Sequence, residues 1–493
     1  MHNLLRTVLS DVLPLVAEQK GRNLFMPGDG RYQPDELKPF LGYDMWAAFL
    51  IIVEWFWLVT LAEVNFIPPK EAKLLTQERL TRLLMRIATT TQDNREKGKD
   101  GREGTKHDIL ALLELMRRYL PKTLHQYLHL GATSYDIICT AYGLILKLAF
   151  KKIFEPKLLE VDKIWREKIL EYAGVVQAGR THLQTALPVT VSFWLAVLHH
   201  QYVDCAVKAY GHAEKITGKF TGAVGTSAAL EVMLGRADAN TAVNNLMLSL
   251  DLWPAQYSTQ IAPPQPAARF YFELMLLSGV LGNLGEDVRI LQSSQFGEIV
   301  SVGSSSSTMA HKKANPIAAE NNCGMHVNII AEFMKIALTL ESDLQRDLRW
   351  SSVMRSFSSV MVYGYQQLLT TERLLRSLSI DRQRIQENFD TEAKLVMGEL
   401  LHLGLQSHGY AGTHALVNKK IVPAAALSGK NLAEQMDQFL SLNHDKELEA
   451  IWKKTAGKFR FSLEQPNCYI GKAIELAQAE AENNLNFLVT PTP

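Results

Sequence analysis

The chain has 493 residues, too many for one simple hydrophobic core, so two or three domains are expected. Its 47% hydrophobic and 21% charged content is that of a soluble globular protein, and a net charge of +1 argues against a nucleic-acid-binding surface or a polybasic membrane anchor. Cys139, Cys205, Cys323 and Cys468 are scattered without metal-ligand spacing, so reduced thiols in a cytoplasmic protein with no metal site are the expectation.

Residues 1–40 are mixed, with a turn at Pro27-Gly28-Asp29-Gly30 leading into Arg31-Tyr32. The run from Met45 to Ala62 then approaches the roughly 20 apolar residues that span a bilayer. Glu54 sits at its centre, where an acidic residue costs about 2.5–3.5 kcal/mol on insertion. A helix buried on most faces, not a membrane span, is therefore expected. Residues 90–106 are charged and punctuated by glycine, and read as an exposed mobile loop delivering His107-Asp108. Helical spacing follows from Ile109 to Tyr119, and a loop around His129–Asp136 ends the first segment.

Helix dominates the middle. No proline occurs between Pro188 and Pro254, and neither glycine nor proline from Met325 to Tyr363. Apolar residues recur at helical steps, β-hairpin signals are nearly absent, and Arg180-Thr181-His182 is expected to precede a helix starting near Pro188. Long striped helices imply a bundle that buries a face against other subunits. The last segment is helical with a shorter rhythm. The expectation is an all-α protein divided into an N-terminal helical domain (1–130), a central long-helix domain (131–367) and a C-terminal helical domain (368–493).

Gly303–Glu320 stands out from this background. Four serines lead through Met309, His311 and Lys312 to Asn315-Pro316, which reads as an N-cap and a first-turn proline. A hydroxyl-rich loop feeding a lysine and a helix N-terminus is suited to holding an anion. The segment resembles the signature loop of the fumarase/aspartase superfamily, Gly-Ser-Ser-x-Met-Pro-x-Lys-x-Asn-Pro. Three differences are visible: Ala310 replaces the proline, Ala314 is an extra residue, and the serine run is longer. The resemblance implies a three-domain all-α fold with a long central helical bundle. It also implies elimination of fumarate, or a close relative, from a substituted succinate.

Such an elimination needs a base at the carbon beside a carboxylate, donors that hold the charge the carboxylate gains, and an acid for the departing group. Arg180-Thr181-His182-Leu183-Gln184 is similar to the segment that carries the general acid in the adenylosuccinate lyase family, which implies that role for His182 and substrate contact for Thr181. The superfamily uses a serine of the signature loop as base. Counting back from Met309 matches Ser306 to it, whereas counting forward from Gly303 matches Ser304; the methionine–lysine spacing favours Ser306. Lys312 and Asn315 then match the residues that hold the carboxylates. His107-Asp108 resembles the family's substrate-facing pair, and Thr133-Ser134 its carboxylate-binding pair. Both sites are equally good helix N-caps. Gln260 matches a substrate-binding glutamine.

Arg346, Ser351 and Arg355 match the phosphate-contacting positions of Arg-Asp-x-x-Asp-Ser-x-x-x-Arg, with Trp350 in place of the aspartate, and Arg31-Tyr32 matches an N-terminal nucleotide contact. Two guanidinium groups and a hydroxyl are chemically suited to a phosphate. The resemblance thus implies release of fumarate from adenylosuccinate and from the related carboxamide ribotide. It further implies a homotetramer with shared sites, and no metal or organic cofactor. Alternatives within reach of the same residues are a lyase for another substituted succinate, such as argininosuccinate or a carboxymuconate, and a silent paralogue.

Overall fold

The computed structural model describes residues 7–13, 15–16, 30–42, 45–86, 107–301, 315–346, 351–354 and 356–485. The 90–106 loop, most of the Gly303–Glu320 segment, and three site residues (Ser306, Lys312 and Arg355) lie outside these.

Helix α1 (Met45–Glu63) is the apolar run, and it is the core of the N-terminal part. It is long and apolar enough to cross a membrane, but 89% of its apolar window is buried inside the protein. It packs against α2 (Gln77–Arg86), α3 (Asp108–Tyr119) and α4 (Ser134–Ala149). Glu54, fully buried at its centre, takes a 2.6 Å hydrogen bond from His129 Nδ1. Trp57 Nε1 donates to the Leu130 carbonyl at 2.9 Å. Together these two bonds pin the loop ahead of α4 to the apolar helix. A buried carboxylate persists only when paired, and His129 is that pair.

The centre is a bundle of five long helices: α5 (Glu155–Glu171), α6 (Val191–Glu214), then α9 (Gln265–Gln292), α10 (Ile317–Leu338) and α11 (Ser359–Ser377), with the shorter α7 (Ala228–Leu234) and α8 (Arg236–Ser249) between α6 and α9. The 28 residues of α9 make it about 42 Å long at 1.5 Å per residue. Close approach of α10 is built in at Gly285, where a Cβ would come within 2.6 Å of the Ala319 carbonyl. Polar ties fix the register inside the apolar packing. Gln367 on α11 donates to Ser278 O at 3.0 Å and Asn322 O at 2.9 Å, and Asn322 donates to Thr371 at 3.0 Å.

Three features differ from the sequence expectation. Residues 176–190 form an antiparallel hairpin, β1 (Val176–Thr181) and β2 (Gln184–Thr190), and α6 begins only at Val191 with Thr190 as its cap. The strand signal is hidden by Pro188 and by a turn lacking glycine or asparagine. Second, α10 starts at Ile317 with Pro316 in the cap position, one residue later than the Asn315-Pro316 pattern suggests. Third, the stretch free of glycine and proline leaves the helix after Leu338, and residues 339–346 are non-helical.

A short strand β3 (Ile299–Ser301) pairs with β4 (Leu378–Ile380), and α12 (Arg382–Val396) leans on the hairpin. Residues 397–463 build a separate core from α13 (Gly398–Ser407), α14 (Leu432–Asn443) and α15 (Lys446–Glu464). The last helix, α16 (Ala473–Glu482), returns to α5 and α6. There Glu480 and Asp162 hold the two ring nitrogens of buried His199 at 2.8 and 3.0 Å.

Candidate active site

The loop before α4 gathers several of the residues singled out in the sequence. His107 caps α3, with Nδ1 accepting from Leu110 N at 3.4 Å, while Nε2 lies 3.3 Å from Ser134 Oγ. Asp108 follows as the first residue of α3. His107 and Ser134 are 27 positions apart in sequence, so this pairing is tertiary. One ring thus caps α3 and reaches the start of α4.

Behind Thr133-Ser134 sits a fully buried Asp136–Lys219 ion pair. The Asp136 carboxylate also accepts from Thr133 N at 2.8 Å, Thr221 N at 2.9 Å and Gly222 N at 3.1 Å, and Lys219 Nζ donates to Gly222 O at 2.7 Å. Charge, backbone donors and cap converge on one carboxylate, which ties the 219–222 loop to the start of α4.

The hydrogen bonds continue outward. Thr221 Oγ1 meets Ser258 Oγ at 2.7 Å, and Gly225, at φ +83, is packed so closely on the Ser258 carbonyl that no Cβ fits. Gln260 N donates to Gln345 O at 3.0 Å, which brings Gln260 beside Arg346. Arg346 has φ +78 and its Nη2 donates to Thr339 O at 2.8 Å. A left-handed arginine in a segment free of glycine is a strained backbone held by its surroundings, a feature that concentrates at functional sites. Arg346 and Ser351 line one cavity together with Tyr135, Cys139, Ile261 and Thr339. Burial pushes the Cys139 thiol up to about 11, so it is an inert wall.

His182 is elsewhere. It and Leu183 are the two central residues of the β1–β2 turn, at φ +56 and +58. Two positive φ values define a type I′ turn, normally built from Asn-Gly, and each left-handed non-glycine residue costs about 1–2 kcal/mol. Histidine tolerates this conformation better than most residues, but leucine does not. Thr181, His182, Leu183 and Gln184 are all exposed, Leu183 at 59%. Among the described residues no side chain hydrogen-bonds to His182. The hairpin packs on α6, α12 and α16, and so presents a strained, apolar-edged histidine outward.

Asn315 precedes α10 and is half-buried. Arg31 and Tyr32 lie in a single 3-10 turn, Gly30–Tyr32, packed against α11. The structure thus brings His107, Thr133, Ser134, Gln260 and Arg346 into one hydrogen-bonded neighbourhood, and sets Thr181 and His182 apart on the hairpin. Sequence reasoning missed Asp136, Lys219, Thr221 and Ser258. Only Asp136 carried a signal, as the third residue of a Thr-x-x-Asp capping pattern.

A long-helix bundle, with a largely apolar cavity carrying Arg346 and Ser351 in its wall, defines the class. The sequence pattern of a family described simply as lyase matches residues 76–331, half of the chain, and the protein belongs to that family, within the fumarase/aspartase superfamily. It is a lyase. It is 28% identical to the adenylosuccinate lyase of Methanocaldococcus jannaschii over 463 residues, covering 91% of this chain and 94% of that protein. It is 30% identical to the adenylosuccinate lyase of Pyrococcus horikoshii over 466 residues, covering 92% and 97%.

Solved structures agree on the fold. A fumarate lyase from Mesorhizobium sp. BNC1 superposes with a TM-score of 0.74 at 21% identity, covering 93% of this chain and all of that one. The 3-carboxy-cis,cis-muconate lactonizing enzyme of Pseudomonas putida gives 0.75 at 19%, covering 93% and 98%.

Proposed function

We propose that the protein is a cytoplasmic adenylosuccinate lyase that releases fumarate from adenylosuccinate, leaving AMP, and acts likewise on the succinylated carboxamide ribotide of purine synthesis. The observation that carries this reading is the full-length similarity to adenylosuccinate lyases combined with Arg346 and Ser351 on one cavity wall beside Gln260. A guanidinium and a hydroxyl are a reasonable cradle for a nucleotide phosphate.

In this reading Ser306 takes the proton from the carbon beside the succinyl carboxylate. Lys312 and Asn315 hold the charge that then builds on that carboxylate, and Thr133, Ser134 and His107 hold the succinyl group. His182 gives its proton to the departing purine nitrogen. The C–H bond electrons form the new double bond, and the C–N electrons leave with the nitrogen, so no redox partner or cofactor is called for.

The exposure of His182 on the hairpin turn supports a site completed by another copy. The outer faces of the bundle helices support a homotetramer with shared sites. Phe272 and Leu276 on α9, and Val327, Ile330, Met334 and Leu338 on α10, are 38–66% exposed at helical spacing. Such a stripe on a bundle is the usual mark of an interface.

The test is to mix purified protein with adenylosuccinate, with argininosuccinate and with a carboxymuconate, following fumarate release and purine absorbance. Turnover of adenylosuccinate alone is the expected result. Turnover only of another compound would overturn the substrate, and no turnover of any would favour a silent paralogue. In the active protein, His182→Ala is expected to lower kcat by about 10²–10⁴-fold, the usual range for lost acid catalysis.

A further inference from the structure

Arg180 lies two residues before His182, yet its guanidinium does not accompany the histidine outward. It makes a two-armed ion pair with Glu298: Nη1 to Oε2 at 3.0 Å and Nη2 to Oε1. Glu298 is buried, at 1% exposure, and Arg180 is mostly buried, at 11%. The guanidinium also stacks 4.4 Å from the Phe296 ring centre.

Glu298 is itself fixed. Asn388 on α12 donates to its Oε1 and to the Phe296 carbonyl, each at 2.8 Å. The Glu298 amide donates to Leu291 O at 2.8 Å, and its carbonyl accepts from Asp381 N at 2.8 Å. Strand β3 begins at the next residue. The pair therefore ties the hairpin to the end of α9, to β3 and to α12 at a single point.

The hairpin is shaped to deliver Arg180 there. Its register slips between Ala178 and Arg180, so that two residues of β2 oppose Gly179. A Cβ on Gly179 would come within 2.5 Å of the Leu187 carbonyl. Bulges of this kind re-aim a side chain beside active sites. A two-stranded hairpin is marginal alone, and this one closes on a strained turn. Something outside it must hold the tip in place.

We propose that Arg180 is a positioning residue for His182: its buried fork on Glu298 locks the hairpin, and with it the histidine at the tip, against β3 and α12. This rests on the reading of His182 as proton donor.

The test is a double-mutant cycle in the full-length protein with adenylosuccinate as substrate. An apolar replacement of both partners, Arg180→Met with Glu298→Leu, avoids leaving a lone buried charge. It is expected to keep thermal stability and oligomeric state while lowering kcat about 10- to 100-fold, the scale of an ångström-sized misplacement. KM is expected to hold, because the loss is felt in the transition state. In a His182→Ala background the same replacement is expected to cost nothing further, since groups that act as a unit are non-additive.

An equal loss of kcat in both backgrounds would overturn the positioning role and leave the His182 assignment intact. A loss of less than about tenfold for His182→Ala alone would overturn the acid assignment itself, and the inference with it. If the apolar pair does not fold, Arg180→Lys keeps the charge but not the fork. It is expected to show the same non-additivity at smaller size, and additivity there would count against the proposal equally.

Discussion

His129→Gly removes the one hydrogen-bond partner, among the described residues, of a carboxylate sealed inside the apolar helix α1. Glu54 is fully buried; one oxygen meets His129 at 2.6 Å and the other has no partner among the described residues. Removing one member of a buried pair costs about 3–5 kcal/mol, because the survivor keeps its desolvation penalty. Glycine suits the test because His129 has φ +59, a conformation glycine adopts freely. Adding Glu54→Leu deletes the stranded charge, and the double variant is expected to return to within about 1 kcal/mol of the parent, the remainder being glycine's extra unfolded-state freedom. Equilibrium urea unfolding by tryptophan fluorescence, at one protein concentration because assembly contributes to stability, measures both.

Function should part from stability here. His129 opens the turn that ends at Thr133-Ser134, so the double variant is expected to be stable yet to bind substrate more weakly. Burial alone would lower the His129 pKa, but the Glu54 hydrogen bond and charge outweigh it and hold the value above 6.5. The pair's contribution is then complete below pH 6.5 and shrinks as pH rises through the raised value. A single variant that loses less than about 1 kcal/mol, or a double variant no better than the single, would refute the reasoning.

Other consequences can be checked independently. Docking of α16 depends on His199 between Asp162 and Glu480. Burial alone would lower His199, but its two carboxylate partners raise it above 6.5; burial alone would raise Glu480, but His199 and His200 lower it below 4.5. The docking is strongest between pH 4.5 and 6.5, and is lost as pH rises through the raised histidine value or falls through the lowered carboxylate value, so amide exchange across 473–482 is expected to speed up at both extremes. Gly225→Ala forces a Cβ into the Ser258 carbonyl at a positive φ, and is expected to cost about 1–3 kcal/mol and to weaken substrate binding, measured by urea unfolding and KM. Lys219→Met strands Asp136 with backbone donors alone. It is expected to destabilise by about 3–5 kcal/mol, less if the three amides compensate, whereas a change within about 1 kcal/mol would show that they do so fully.

What could be read from the sequence was local. The run from Met45 to Ala62 announces a buried helix because its own composition demands burial, and the helical stripes of the centre do the same. Thr133 and His107 are visible as caps because capping is a matter of adjacent residues. Partnerships were not visible: Glu54 finds His129 across 75 positions and Arg180 finds Glu298 across 118. The hairpin was missed because His182-Leu183 is a poor type I′ pair, held by tertiary contacts against local preference. The acid role proposed for His182 rests on its motif alone, since nothing in its spacing tells a catalytic histidine from a structural one. The break after Leu338 needed the strained backbone at Leu344 and Arg346, which no breaker residue marks.

The account turns on His182 serving a site that another copy completes. Co-expression of His182→Ala with Lys312→Met, each inactive by itself, tests this directly. If the acid and the signature loop come from different copies, mixed oligomers hold some sites with both groups intact. Activity should then return to about a quarter of the parent's at random mixing of equal amounts. Activity no greater than the two parents' sum would mean that both groups act within one chain, and would contradict the account.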